Sequence, residues 1–111
     1  MKFAIVIYSN EAENVWNAFR FANMCLSHDD EVTVFLMGQG VETASIKSLK
    51  FDIDEQLSWF EDLGGKLIGC GVCCDTRKDI MPELDKDLQC DMGSMTDFYA
   101  LIKDSDKIVT F

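Results

Sequence analysis

Three strand-length runs, each ending at a sharp change of character, constrain this chain more than anything else in it. The first, Lys2-Phe3-Ala4-Ile5-Val6-Ile7-Tyr8, is almost unbroken in apolar residues and stops at Ser9-Asn10. A near-continuous run is what a central parallel strand covered on both faces requires. The second, Glu31 to Met37, stops at Gly38-Gln39-Gly40, a sharp loop where a ligand can approach backbone, and the third, Lys66 to Gly69, leads straight into Cys70. Parallel neighbours need crossovers, and helices are the usual ones. The pattern therefore predicts an α/β three-layer sandwich with a mainly parallel sheet of four or five strands.

Between the strands, apolar residues recur at helical spacing. Val15, Phe19, Ala22 and Leu26 make the buried stripe of a helix over about Glu11 to Ser27, with Asn10 and Glu13 as its capping pair. Asp52 with Glu55 opens a second helix that turns Leu57 and Phe60 inward and stops at Gly64-Gly65. Its far face carries Glu55, Ser58, Glu61 and Asp62, while Trp59 and Leu63 widen the apolar side. From Lys78 to Met92 the pattern is broken by Pro82 and several acids, which predicts a short helix and an irregular loop ending near Cys90. Ser94 with Asp97 caps a last helix whose inward stripe is Met95, Phe98, Leu101 and Ile102, before Lys107 to Phe111 closes as a strand. No repeat or linker divides the 111 residues, so one domain over 1–111 is expected.

Charge excludes several partner classes. Twenty acidic side chains against ten basic ones give a formal charge of -10, which repels phosphate backbones and anionic headgroups. Neither nucleic acid nor a membrane is an expected partner. Phe3 to Tyr8 is too short for a spanning helix or a signal-peptide core, so the cytoplasm is the expected compartment. The acid-rich stretch from Asp75 to Asp91 reads as a solvated face. Gly38-x-Gly40 lacks the rest of a phosphate-binding pattern, and a tight turn explains it. His28 reads as a surface residue suited to a helix C-terminus, and Trp16, Phe19, Phe21 and Trp59 as core and subunit interface.

The chemistry lies with the cysteines. Of five, Cys70, Cys73 and Cys74 fall within five residues. The odd total, the clustering and a reducing compartment favour thiol chemistry or metal binding over structural disulfides. Reactive groups of parallel sheets collect beyond the carboxyl ends of the strands, and Ser9-Asn10, Gly38-Gln39-Gly40 and Gly69-Cys70 are three such ends. A thiol in the first turn of a helix faces unpaired N–H groups and the positive end of the dipole, which favours the thiolate. Cys70 is placed for that role, and Arg77 adds positive charge if its side chain folds back. Cys73, three residues on, is within reach as a resolving thiol, and Cys74, four residues on, competes for the same task. Cys90 is a redox partner, a metal ligand or a plain loop cysteine, and Cys25 is core. Cys70, Cys73, Cys74 and Cys90 have poor zinc spacing, so neither metal nor other cofactor is expected.

The segment Gly69-Cys70-Gly71-Val72-Cys73-Cys74-Asp75-Thr76-Arg77 resembles the cysteine segment of small DsrE/DsrF-like proteins, in which a strand delivers a Cys-Gly-x-Cys turn and a helix follows. The resemblance extends to the opening strand with Ser9-Asn10, the Gly38-Gln39-Gly40-Val41-Glu42 turn, and the ending from Ser94 to Phe111. This chain has Lys78 where many members have Gly. The resemblance implies that Cys70 is the active cysteine and that it carries sulfur as a persulfide. It further implies that Cys90 matches a cysteine kept by some small members, that sulfur donor and acceptor proteins are the partners, and that the chain forms a homo-oligomer, trimer or hexamer. A sulfur carrier or sulfurtransferase is the leading expectation. A thiol-disulfide redox protein using Cys70 and Cys73, a metal or cluster binder, and a non-catalytic oligomeric binding module are the alternatives.

Overall fold

The computed structural model describes residues 1–88 and 90–111, and residue 85 by its backbone alone. The first apolar run forms β1 (Lys2–Ile7), whose last four residues are all buried, as a strand covered on both faces must be. In order there follow α1 (Ala12–Ser27), β2 (Glu31–Leu36), a 3-10 segment (Gly38–Ser45), α2 (Ile53–Asp62) and β3 (Lys66–Cys70). The one-turn helices α3 (Gly71–Asp75) and α4 (Leu84–Leu88), then β4 (Asp91–Gly93), α5 (Met95–Asp104) and β5 (Lys107–Thr110) complete the order. The five strands lie in the order β4-β3-β2-β1-β5, and every pairing is parallel.

The connectivity dictates the layers. The crossovers from β1 to β4 step one way across the sheet, and the last, through α5, returns the chain from one edge to the other. Right-handed crossovers then put α5 on the face opposite α1 and α2. Side chains agree: Phe19 of α1 meets Phe60 of α2 edge-on at 5.5 Å and Phe3 meets Phe21 at 6.0 Å on one face, while Phe35 of β2 packs on Phe98 of α5 at 4.9 Å on the other. In register, Ile5 lies beside Val34 and Ile7 beside Leu36, so the wholly buried core runs through the two central strands.

Several local expectations need correction. The cap of α1 is Glu11, not Asn10: its carboxylate accepts from the N–H groups of Glu13 and Asn14 at 3.2 and 2.8 Å, because the helix starts one residue later than its apolar stripe suggests. In α2, Asp52 does cap Glu55 at 3.0 Å, but Trp59 and Leu63 are each 48% exposed. Ile53, Gln56 and Phe60 are buried and Leu57 packs on the core as expected, while Asn23 Nδ2 donates to both the side-chain and backbone oxygens of Gln56, each at 3.0 Å, and draws it into the seam with α1. Phe21 lies at the surface boundary, and Trp16 is half-buried with Arg20 stacked on it.

Directly after the loop that the sequence ends near Cys90, Asp91–Gly93 forms the fifth strand, edge strand β4, which the sequence did not place, held by its register with β3 that sets Cys70 beside Gly93. A Cβ on Gly93 would lie 2.5 Å from Ile68 Cγ2, so the glycine permits the pairing. Gln89, in the same expected loop, lies outside the described residues. The last helix starts as the sequence predicts, with Ser94 and Asp97 exchanging side-chain and backbone bonds in a capping box. Ser94→Ala is accordingly expected to cost about 1 kcal/mol, read as a shifted urea midpoint at unchanged slope. The expected inward stripe is narrower than the sequence suggests: Phe98 and Leu101 pack on the core, Ile102 is half-buried and Met95 is 64% exposed. α5 packs on the sheet through β1 and β4, and none of its residues is fully buried. No described helix is long and apolar enough to cross a membrane.

Candidate functional site

β3 ends by delivering Cys70 to the N-cap of α3, in extended conformation (φ -68°, ψ 116°). This is the position where a side-chain acceptor meets the free N–H groups of a helix start. Cys70 Sγ accepts from the Cys73 N–H at 3.4 Å and is only 6% exposed. Burial raises its thiol above the ordinary value, and the nearby Cys73 side chain adds to the rise, against the lowering by the backbone N–H groups of Cys73 and Val72. The N–H groups of the helix start thus act in the direction expected of them, and burial is the larger influence on the Cys70 thiol.

Cys73 is half-buried, and its Sγ accepts from the Gly38 N–H at 3.2 Å. Gly38 has φ +56°, the left-handed region that glycine adopts without strain, and nothing lies near the position of an added Cβ. Conformation, not space, requires glycine there. The Gly38-Gln39-Gly40 stretch is the start of the 3-10 segment and not an open loop. At Gly40 the requirement is space: a Cβ would press on the Ile7 carbonyl oxygen and lie 2.7 Å from its carbon. At Gly71 a Cβ would meet only the Gly93 carbonyl oxygen, at an ordinary 3.6 Å.

Arg77 folds back onto the backbone of the turn, with its hydrogen bonds going to partners other than the Cys70 sulfur. Its Nε donates to Glu42 Oε2 at 2.8 Å, and one terminal nitrogen donates to the Cys73 carbonyl at 3.0 Å and to Thr76 Oγ1 at 3.2 Å. Asn10 Nδ2 donates to the other Glu42 oxygen at 3.3 Å. Segments that follow β1, β2 and β3 are thus joined at one sheet edge through Glu42, which the sequence reading passed over. Its only signal was an acid four residues beyond Gly38 in a turn facing the single arginine of the cysteine segment. Arg77 holds the Glu42 carboxyl below its ordinary value, with burial opposing and Asn10 assisting. Ser9 serves elsewhere: its Oγ accepts from the Glu11 N–H at 3.0 Å and shapes the turn into α1.

Cys74 and Cys90 lie behind this turn. Cys74 is buried in the core, as is Cys25. Cys90 is half-buried against Gly69, with its Sγ 3.2 Å from where a Cβ on that glycine would sit. Burial, and secondarily Cys74, pushes its thiol up to about 11. At pH 8 about one Cys90 in a thousand is then thiolate, so alkylation is expected to be far slower in the folded protein than in urea. The unfolded chain releases this proton first, so stability falls as pH rises from the ordinary thiol range through about 11, and Cys90→Ala is expected to flatten that fall. Among the described residues, no three His, Cys, Asp or Glu side chains converge as a metal-binding set.

A conserved protein of unknown function from Bacteroides thetaiotaomicron shares the fold, with a TM-score of 0.74 over 99% of this chain and 94% of that one at 16% identity. An uncharacterized protein of Methanocaldococcus jannaschii is 32% identical over 118 residues, spanning 100% of both sequences. The DsrE/DsrF-like family model matches residues 1–111, from the opening strand through the cysteine turn to the terminal strand, and the chain belongs to that family.

Proposed function

We propose that the protein is a sulfur carrier in which Cys70 holds a sulfur atom as a persulfide and passes it to a partner thiol. The observation that carries this reading is the Cys70 sulfur at the cap of α3, on a strand end and bonded by a backbone N–H, in a chain of this family. Chemically, the Cys70 thiolate attacks the outer sulfur of a donor persulfide, the donor S–S bond breaks and the donor leaves as a thiolate. An acceptor thiolate then attacks the outer sulfur of Cys70–S–SH, and Cys70 leaves as its own thiolate. Cys73 supplies a second route: attack on the inner sulfur closes a Cys70–Cys73 disulfide and releases hydrosulfide. The proton that Cys70 gives up passes to the departing donor thiolate, so the transfer balances.

A thiol-disulfide redox protein is the second reading, favoured by the side-chain hydrogen bond between the Cys70 and Cys73 thiols. The donor and acceptor are proteins with an accessible cysteine, working in the cytoplasm. The working form is a homo-oligomer, trimer or hexamer: Met95 and Tyr99, 64% and 65% exposed on α5, and Ile108 on β5 are apolar surface for a second copy to cover. The carrier reading is tested by intact-mass spectrometry of the reduced protein after exposure to polysulfide. Added sulfur that is lost on reduction and maps to the peptide containing Cys70 is expected; no added sulfur overturns the reading.

A further inference from the structure

Arg77 hydrogen-bonds the backbone of the thiol turn, yet its charge is committed elsewhere. Nε is on Glu42, and a terminal nitrogen is on the Cys73 carbonyl oxygen. Both partners of the ion pair are largely shielded, with side chains 22% and 17% exposed, and Asn10 holds the second carboxylate oxygen. The same 3-10 segment thus gives the turn two things, the Gly38 N–H on the Cys73 sulfur and the Glu42 carboxylate on Arg77. We infer that Glu42 is a positioning residue for the thiol pair, anchoring the Arg77 guanidinium on the Cys73 carbonyl and cancelling a positive charge that would otherwise act on the two sulfurs.

The inference rests on reading Cys70 and Cys73 as the reactive pair, and not on what they carry. An uncompensated cation beside a thiol favours the thiolate, and an uncompensated carboxylate opposes it. Two nearby lysines are already paired with carboxylates, Lys78 with Asp75 and Lys86 with Glu83. Removing one member of the Glu42–Arg77 pair uncovers the other, so the two single substitutions drive thiol reactivity in opposite directions. Loss of packing drives both the same way.

The test is the rate of iodoacetamide alkylation of Cys70 and Cys73, read peptide by peptide on the full chain at pH 8 and low salt, with buried Cys25 reporting unfolding. Glu42→Gln keeps an acceptor for Asn10 and leaves Arg77 charged; it is expected to raise the rates about threefold. Arg77→Gln leaves Glu42 charged and is expected to lower them about threefold. Both differences are expected to shrink in added salt, as charge effects do. Shifts in the same direction, unchanged rates, or differences that persist in salt would overturn the inference. Should either single variant expose Cys25, the Glu42→Gln, Arg77→Gln double variant decides: rates within about twofold of wild type support the inference and a larger departure overturns it. A failure to load sulfur leaves this result standing, because alkylation does not pass through a persulfide.

Discussion

Replacing Cys70 by serine is expected to abolish sulfur loading while the fold stays intact. Serine is a preferred helix cap, so its hydroxyl takes over the bond from the Cys73 N–H that the sulfur now accepts at 3.4 Å. What disappears is the nucleophile, since a serine hydroxyl does not ionise in the range where thiols do. Thermal unfolding of Cys70→Ser is therefore expected to match wild type within about 1 kcal/mol, and its intact mass after polysulfide treatment to show no reducible sulfur. Cys73→Ser is expected to load normally and to release hydrosulfide more slowly, because the inner-sulfur route to a disulfide is gone. Undiminished loading in Cys70→Ser, moved to Cys73, would transfer the central role three residues along the chain and refute the assignment.

Gly40→Ala is expected to produce the largest loss of stability. The added methyl points into the carbonyl of Ile7, at the buried end of β1, and that oxygen already accepts the Met37 N–H at 2.9 Å. Ile7 is wholly buried and paired with Leu36, so the strand cannot retreat, and the 3-10 segment must lift instead. Lifting it breaks the Gly40 N–H bond to the Met37 carbonyl and withdraws Gly38 from the Cys73 sulfur. Overpacking of this kind costs roughly 3 kcal/mol, which for a domain of this length lowers Tm by roughly 10–20 °C. Calorimetry checks it; a Tm within a few degrees of wild type would mean that the segment slides without strain.

How far the molecule was legible in its sequence depends on what kind of force positions each part. The central strands and α1 were readable because burial on a repeating face leaves a periodic trace, as in Val15, Phe19 and Ala22. Ser94-x-x-Asp97 and Asp52-x-x-Glu55 were readable because a cap is a local bond. β4 was not, since Asp91-Met92-Gly93 has no strand character of its own and becomes a strand only against β3. Trp59 was misplaced because a polar contact, Asn23 on Gln56, fixed the rotation of α2 that apolar counting assigned to the tryptophan. At the site, spacing along the chain put Cys70 and Cys73 together. The Gly38 N–H and the Glu42–Arg77 pair, each 35 residues apart in sequence from their partners, belong to tertiary geometry and left no local trace.

The position of β5 has a consequence for synthesis. β1 lies near the middle of the sheet, yet its second neighbour is the last strand of the fold, and the Lys2 N–H donates to a carboxylate 104 residues further on. A ribosome adding about 5–20 residues per second leaves one side of β1 unpaired for roughly 5–20 s after that strand is made. During that interval Ala4-Ile5-Val6-Ile7, the most apolar stretch of the chain, presents open backbone hydrogen-bonding groups to its neighbours on the polysome. The charge of -10 is spread over the rest of the chain and keeps nascent copies apart until the terminal strand arrives to close that edge.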